Sequence, residues 1–367
     1  MDKPVFSIIC PCYNQIDFLE DAVHSVLSQG FNRWELIILN DGSTDGSDRL
    51  ADELARKDLR IRVIHQSNQG LSSARNIGLA VAKGDFIGFL DSDDIYLAGA
   101  FQAVFSQISK SNADLIIGGY SYFKGKDFFH THQFTVSKLS PEFLLRTNQA
   151  PPIAHFLKHS VAKSIGDFDT SLKSCEDWEY WTRVAKKGFK IITIPEVIAG
   201  YRYVPNSMSR QPKVMYQALS EVNRRAHCND SQLSENSTEI AHHSADISEI
   251  QKNHLIRCLG VLIHQGKANE ASAWYQEEVV KWNWVLEDKD WLGLSSPLSW
   301  RYFFDQDEIK TIFQKLLPEL RIFFYELGYS PSKTSKLISE ILRPQRYRLN
   351  HIRYGKLLGA LINRIFK

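Results

Sequence analysis

The chain has 367 residues, long enough for two domains rather than one small one. At 43% hydrophobic and 23% charged it has the composition of a soluble globular protein, and a net charge of +2 gives no reason to expect a nucleic-acid partner. No apolar run approaches the roughly 18 residues that cross a bilayer, so no transmembrane helix is expected.

The first 120 residues alternate strand and helix patterns. Apolar runs at Val5 to Cys10, Trp34 to Leu39, Arg60 to His65, Phe86 to Leu90 and Asp114 to Gly119 predict strands. Between them, helical stripes run through Leu19 to Leu27, Leu50 to Ala55, Leu71 to Ala82 and Ala98 to Ser109. Such alternation predicts βαβ units and a mostly parallel sheet flanked by helices, an α/β fold. From Tyr120 to Thr135 the pattern is aromatic and irregular, and a hairpin is expected. Asp177 to Lys187 predicts a helix, Ile191 to Ile194 and Val197 to Tyr203 short strands, and Pro205-Asn206-Ser207 a break. Beyond about residue 210 strand signals vanish, and Cys228 to Ser237 reads as a polar loop. His254 to Ile263 and Ala268 to Val280 predict a helical hairpin turning at Gln265-Gly266-Lys267, with further helices over Ile309 to Leu327 and Lys333 to Leu342. The expected organisation is a domain over 1–210 and a mainly helical region over 211–367.

Five cysteines at 10, 12, 175, 228 and 258 are odd in number and scattered, which fits a reducing compartment and not a disulfide framework. Cys10 and Cys12 have no matching Cys/His pair at zinc spacing. The N-terminus lacks a basic stretch followed by a long apolar one, so no signal peptide is expected and the chain reads as cytoplasmic. The eight Trp and the 12% aromatic content suit core packing, and also suit a sugar site.

Two acidic clusters follow apolar strands directly: Asn40-Asp41-Gly42-Ser43-Thr44-Asp45 and Asp91-Ser92-Asp93-Asp94. Ligands of open α/β sheets bind at the carboxyl ends of the strands. Carboxylates gathered there repel one another, and a divalent cation with a sugar nucleotide would relieve the repulsion. Taken in order, Pro11-x-Tyr13-Asn14, Asp41-Gly42-Ser43-Thr44-Asp45, Gly70-x4-Arg75-Asn76-x-Gly78, Asp91-Ser92-Asp93-Asp94 and Glu176-Asp177 resemble a family 2 glycosyltransferase of the GT-A fold, over roughly residues 4–205.

That resemblance implies a metal-dependent, inverting transfer from a nucleotide sugar, a UDP-sugar above all, in cell-surface polysaccharide or glycolipid synthesis. It implies that Asp41 accepts the uracil N3–H, that Pro11, Tyr13 and Asn14 wrap the base, and that Arg75 lies near the nucleotide. Asp91 is assigned to the donor ribose or the metal shell, Asp93 to Mg²⁺ or Mn²⁺, and Asp177 to the general base. Each has a plainer reading. Asp41 starts a turn, and Ser43, Thr44 and Asp45 look like helix N-cap residues. Pro11, Tyr13 and Asn14 form a strand-to-helix turn, and Arg75 pairs with a surface carboxylate. Ser174-x-x-Asp177 has the form of a capping box, and Glu179 with Arg183 makes an ordinary surface pair. A phosphatase of the haloacid dehalogenase type also opens on a strand ending in Asp-x-Asp, but position 95 is Ile and four predicted strands precede the motif. A sugar-nucleotide-binding module or scaffold without turnover is the alternative function.

The acceptor, a glycan or a lipid-linked molecule, would be read by Tyr120 to Lys158 and by loops near Tyr201 to Arg210. From Arg343 to Lys367 the charged residues are all basic. Leu358, Leu361, Ile362 and Ile365 share one face of a predicted helix, and Lys356, Arg364 and Lys367 lie mostly elsewhere. Such a helix suits peripheral contact with the inner face of a membrane, or packing on the helical region with its cations in water. Gly355 and Gly359 weaken it.

Overall fold

The computed structural model describes residues 3–135, 139–204, 211–227, 244–299 and 306–365. The chain forms two compact units, Met1–Pro205 with Val222–His242, and Asn206–Glu221 with His243–Lys367, so the division does not fall at a single point in the sequence.

In the first unit the elements follow as β1 (Phe6–Cys12), α1 (Leu19–Leu27), β2 (Trp34–Asp41), α2 (Ser47–Lys57), β3 (Ile61–Gln66), α3 (Leu71–Val81), β4 (Phe86–Phe89) and β5 (Ile95–Tyr96). Next come α4 (Ala100–Ser111), β6 (Leu115–Lys124), β7 (Asp127–His132), α5 (Pro141–Arg146), β8 (His155–Lys158), α6 (His159–Ile165), α7 (Glu176–Lys186) and β9 (Ile191–Arg202). All nine strands join one sheet in the order β3-β2-β1-β4-β8-β6-β9-β5, with β7 pairing β6. β3, β2, β1 and β4 are parallel, as expected. The rest of the sheet is mixed: β8 runs antiparallel to β4 and β6, whereas β9 runs parallel to β6. β1 and β2 carry apolar residues on both faces because both faces are covered, and every residue in them is buried.

The strand order reverses at β1, between β2 and β4. The carboxyl ends of these three strands therefore open a crevice, and the two acidic clusters stand at its rim. Gly78 lets α3 lie close over β1, since a Cβ there would stand 2.4 Å from Ile9 Cγ2.

The aromatic hairpin is β6–β7, with Tyr120 opposite His132. The two strands expected over 191–203 are the single strand β9, with a shift of register against β6 near Gly119. β5, β8, α5 and α6 carry no pattern long enough to be read from sequence. The capping box does not hold as expected: Cys175, with φ 57°, occupies the N-cap of α7 and makes no side-chain cap.

Glu179 and Arg183 depart furthest from expectation, because the pair is buried. Arg183 Nε and Nη2 donate to the two Glu179 oxygens (2.8 and 3.0 Å), and its guanidinium also donates to the carbonyls of Ile165 (2.8 Å) and Asp167 (2.7 Å). On the same helix Trp178, Trp181 and Ala185 are buried.

The second unit takes in the first part of α8 (Pro212–His227), then α9 (Ser244–His264), α10 (Ala268–Trp282), α11 (Ser296–Ser299), α12 (Gln306–Glu326), α13 (Pro331–Ile341) and α14 (Arg343–Ile365). Its own core includes Leu259, Leu262, Trp291, Phe323, Phe324 and Leu337. α9 and α10 are the expected helical hairpin, turned at Gly266 with φ +77°. α14 breaks at Gly355 (φ 77°, ψ 167°), so the predicted C-terminal helix is not continuous through that glycine. Leu358 is 50% exposed. The other side chains of that predicted face, the break at Pro205-Asn206-Ser207 and the loop from Cys228 to Ser237 lie outside the described residues. Among the described residues no helix is long and apolar enough to cross a membrane.

Arg183→Ala would take from the buried Glu179 carboxylate its two short hydrogen bonds, leaving the longer ion pair to Arg225 (3.8 Å), and would remove the donors to two carbonyls. It is expected to destabilise the first unit by about 3–5 kcal/mol in urea denaturation. A loss no larger than that of an exposed helix pair, about 0.5 kcal/mol, would contradict the buried geometry.

Candidate active site

The loops after β1 and β2 are tied to each other. Asn14, with φ 53°, donates its backbone N–H to Ser43 Oγ (3.0 Å) and accepts from Thr44 N at Oδ1 (2.8 Å). Asp45 accepts from Ile16 N (3.0 Å), and from Ser47 N (2.9 Å) and Ser47 Oγ (2.6 Å). Gly46, in the left-handed region, occupies the N-cap of α2, so Ser43, Thr44 and Asp45 serve the loop rather than the cap position. Pro11 lies within β1, opposite Leu39, and not in the loop. Tyr13 is 48% exposed.

Asp41 ends β2 and is 3% exposed. Its Oδ1 accepts from Gln66 Nε2 (2.6 Å) and Gln69 N (2.8 Å), and its Oδ2 accepts from Gly70 N (2.8 Å). A carboxylate offers about four acceptor positions, so one on Oδ2 is left. Gly42 has φ +76°, and a Cβ there would stand 2.9 Å from Asn68 N, so only glycine lets the loop after β3 close over Asp41.

Arg75 joins segments far apart in sequence. It is 1% exposed and donates from Nη2 to Asp91 Oδ1 (2.7 Å) and from Nη1 to Glu176 Oε1 (2.6 Å). Burial works against its charge, but Asp91, Glu176 and Asp177 outweigh that and raise its pKa. The partners are the buried Glu176 and the partly buried Asp91, not an exposed surface carboxylate. The neighbouring Asn76 holds Phe168 by both backbone groups, accepting from its N–H (2.7 Å) and donating to its carbonyl (2.9 Å).

The second cluster is a turn closed by Asp94 N to Asp91 O (2.9 Å). Arg202, which the sequence did not single out, braces it. Its backbone N–H donates to Asp94 Oδ1 (2.8 Å), its Nε to the Asp93 carbonyl (2.5 Å) and its Nη2 to Asp21 (3.1 Å). Burial, then Asp93 and Asp91, push the Asp94 carboxyl well above the usual range, and its buried Oδ2 has no partner among the described residues. Burial and Asp91 push Asp93 up to about 6. Tyr201 packs edge-on against Tyr122 (5.2 Å). Its phenol is pushed up by burial and by the charges of Asp94, Asp93, Asp91 and Asp177.

Asp177, the second residue of α7, accepts from Trp178 N (2.7 Å) and from Asn148 Nδ2 (2.7 Å). Burial and Glu176 raise its pKa to about 6, against Arg75, Asn148 and the Trp178 N–H, which lower it. Among the described residues no three His, Cys, Asp or Glu side chains form a ready-made metal cage.

Comparison with known proteins places this constellation. The family model for glycosyl transferase family 2 matches residues 7–162. The chain is 30% identical over 213 residues to the putative teichuronic acid biosynthesis glycosyltransferase TuaG of Bacillus subtilis, covering 56% of this chain and 82% of TuaG. It belongs to glycosyl transferase family 2. EpsJ of Bacillus subtilis, an uncharacterized glycosyltransferase, is 30% identical over 220 residues (57% of this chain, 64% of EpsJ). GlyG of Streptococcus pneumoniae is 36% identical over 142 residues (37% of this chain, 47% of GlyG). The chain thus spans less than two thirds of EpsJ and of GlyG. Its fold is that of S. aureus TarS 1-349, solved in complex with UDP, with a TM-score of 0.55 at 17% identity over 89% of this chain and 92% of that one. The family 2 architecture is therefore GT-A, with a helical C-terminal part.

The three raised carboxylates set a sign for stability. A carboxyl whose pKa is higher folded than unfolded contributes stability below its unfolded value, which is lost as pH rises through the folded one. Asp93→Asn is therefore expected to melt higher than wild type above about pH 6, with the gap closing as the pH falls toward the ordinary carboxylate range. An unchanged melting temperature at neutral pH would contradict the like-charge repulsion.

Proposed function

We propose that this protein is an inverting glycosyltransferase that moves a sugar from a UDP-sugar to an acceptor hydroxyl. The observation that carries the reading is the Arg75 bridge, which holds the Asp91–Asp94 turn and Glu176–Asp177 against one guanidinium. The solved complexes of TarS with UDP and with UDP-GlcNAc support a UDP-sugar as donor. The name of TuaG supports a role in assembling a cell-surface polymer. A lipid-linked acceptor would put the work at a membrane surface, where the basic C-terminal segment would meet anionic lipid.

The remaining acceptor position on Asp41 Oδ2 suits the N3–H of uracil, and cytosine has no proton there. Tyr13, exposed beside β1, is available to stack on the base. The Asp91-x-Asp93 turn fits a hard divalent cation. Asp91 already gives one oxygen to Arg75, Asp94 is pinned by Arg202, and Asp93 is tied to no other side chain among the described residues. Mg²⁺ and Mn²⁺ use few carboxylates and draw their other ligands from phosphate and water. Bound there, the ion would offset charge developing on the leaving diphosphate.

Asp177 takes the proton of the acceptor hydroxyl. It is ionised above about pH 6, and its place in the first turn of α7 favours the charged form. The hydroxyl oxygen forms a bond to the anomeric carbon as the bond to the diphosphate breaks, which inverts the configuration. In this reading Asp177 acts as base while Asp91 and Glu176 are held by Arg75 and Asp93 is kept for the metal, which separates it from a retaining double displacement. Positioning both substrates accounts for up to about 7–11 kcal/mol of the barrier in favourable cases.

Asp177→Asn keeps the shape and removes the base. Turnover of a UDP-sugar is expected to fall at least about a hundredfold, with UDP affinity nearly unchanged by calorimetry. Asp93→Ala and EDTA should each abolish turnover while circular dichroism stays native. Turnover intact in either, or an Asp177→Asn defect confined to UDP binding, would sink these roles. For the nucleotide, wild type should bind UDP more tightly than CDP, and equal affinities would contradict the Asp41 contact.

A further inference from the structure

Asp177 is gripped from several elements. On its own helix the Trp178 N–H binds Oδ1 (2.7 Å), and Glu176 adds a like charge. From α3, Arg75 supplies the opposing positive charge, and from β9 the Tyr201 phenol feels the Asp177 charge. The remaining grip comes from the turn after α5, where Asn148 Nδ2 donates to Oδ2 (2.7 Å) across 29 positions of sequence. A carboxylate is acceptor-only when ionised, so the amide must present its NH₂ and not its oxygen.

This turn is a built support. Leu144 and Leu145 of α5 are buried, and Trp178 Nε1 donates to the Leu144 carbonyl (2.6 Å), which docks α5 on the helix that carries Asp177. Thr147 N closes on the Phe143 carbonyl (3.2 Å), and Gln149 Nε2 donates to the carbonyls of Phe143 (3.1 Å) and Thr147 (3.2 Å). Asn148 is held between these two residues, its own residue exposed and its amide on the carboxylate.

We propose that Asn148 is a positioning residue for the base: its amide fixes one oxygen of Asp177 and stabilises the charged carboxylate that accepts the acceptor's proton. The inference rests on the reading of Asp177 as base. Hydrogen bonds to the charged form favour it, and here they oppose burial and Glu176. When the hydroxyl proton arrives on Asp177 the carboxylate becomes neutral and the Asn148 bond weakens, so Asn148 favours the state before transfer and keeps it populated at neutral pH. An alanine would lose that preference. An aspartate of nearly the same shape would reverse it, because two carboxylates at hydrogen-bonding distance share a proton.

The test is the pH dependence of kcat/KM for UDP-sugar turnover at saturating Mn²⁺, in wild type, Asn148→Ala and Asn148→Asp, beside calorimetry with UDP. The acid limb of wild type should lie near 6. Asn148→Ala should move it up by about one pH unit, which through the smaller ionised fraction of Asp177 lowers kcat/KM at pH 7 about twofold, with UDP affinity unchanged. Asn148→Asp should move it further still. Acid limbs that coincide with wild type, or a defect in UDP affinity with kcat intact, would overturn the proposal. Asp177→Asn separates the two levels. If it turns over like wild type, the base itself is misassigned. If it is inactive while the Asn148 limbs stay in place, only the role of Asn148 falls.

Discussion

The buried guanidinium of Arg75 is the constraint on which the carboxyl edge of the sheet depends. Two carboxylates from segments 16 and 101 residues away converge on it. Removing one partner from a buried pair of this kind costs about 3–5 kcal/mol, a large part of the 5–15 kcal/mol that holds a typical domain together. Lysine would not substitute, because it lacks the planar fork that meets Asp91 with one nitrogen and Glu176 with another. Through that fork the turn after β4 and the helix α7 share one fixed point, and Asp93 and Asp177 are placed relative to it.

The same edge works against stability. Asp91, Asp93 and Asp94 crowd one turn, and the buried Asp94 Oδ2 has no partner among the described residues. A sequence selected for stability alone would not place three carboxylates there. The fold tolerates them because Arg75 takes Asp91 and the Arg202 backbone N–H takes one oxygen of Asp94, and what is left uncompensated falls on Asp93 and on the other Asp94 oxygen. Local strain and charge frustration of this sort commonly mark sites of function.

Much of this was legible in the sequence, element by element. β1, β2 and β4 show as apolar runs because both faces of the parallel half are covered. The motif Gly70-x4-Arg75-Asn76-x-Gly78 was visible as a motif, but its physical content was not. Gly70 supplies an N–H to Asp41, Arg75 bridges two acids, Asn76 pins Phe168 and Gly78 makes room for Ile9. Periodicity sees one element at a time, and each of these is a long-range contact. Glu179 and Arg183 were misread for the same reason: spacing of four along a helix reports that two side chains meet, not whether water meets them. Arg202 and Asn148 carry no local pattern at all, and only the register of β9 and the docking of α5 reveal them.

Asp41 is fixed by Gln66, Gln69 and Gly70. The loop after β3 is thereby tied to the end of β2 by the chain's own hydrogen bonds. A ligand meeting it has little backbone entropy to quench, where ordering a free residue costs about 1–2 kcal/mol. Selectivity at this corner thus resides in a preset shape, and affinity there is set by the incoming group alone.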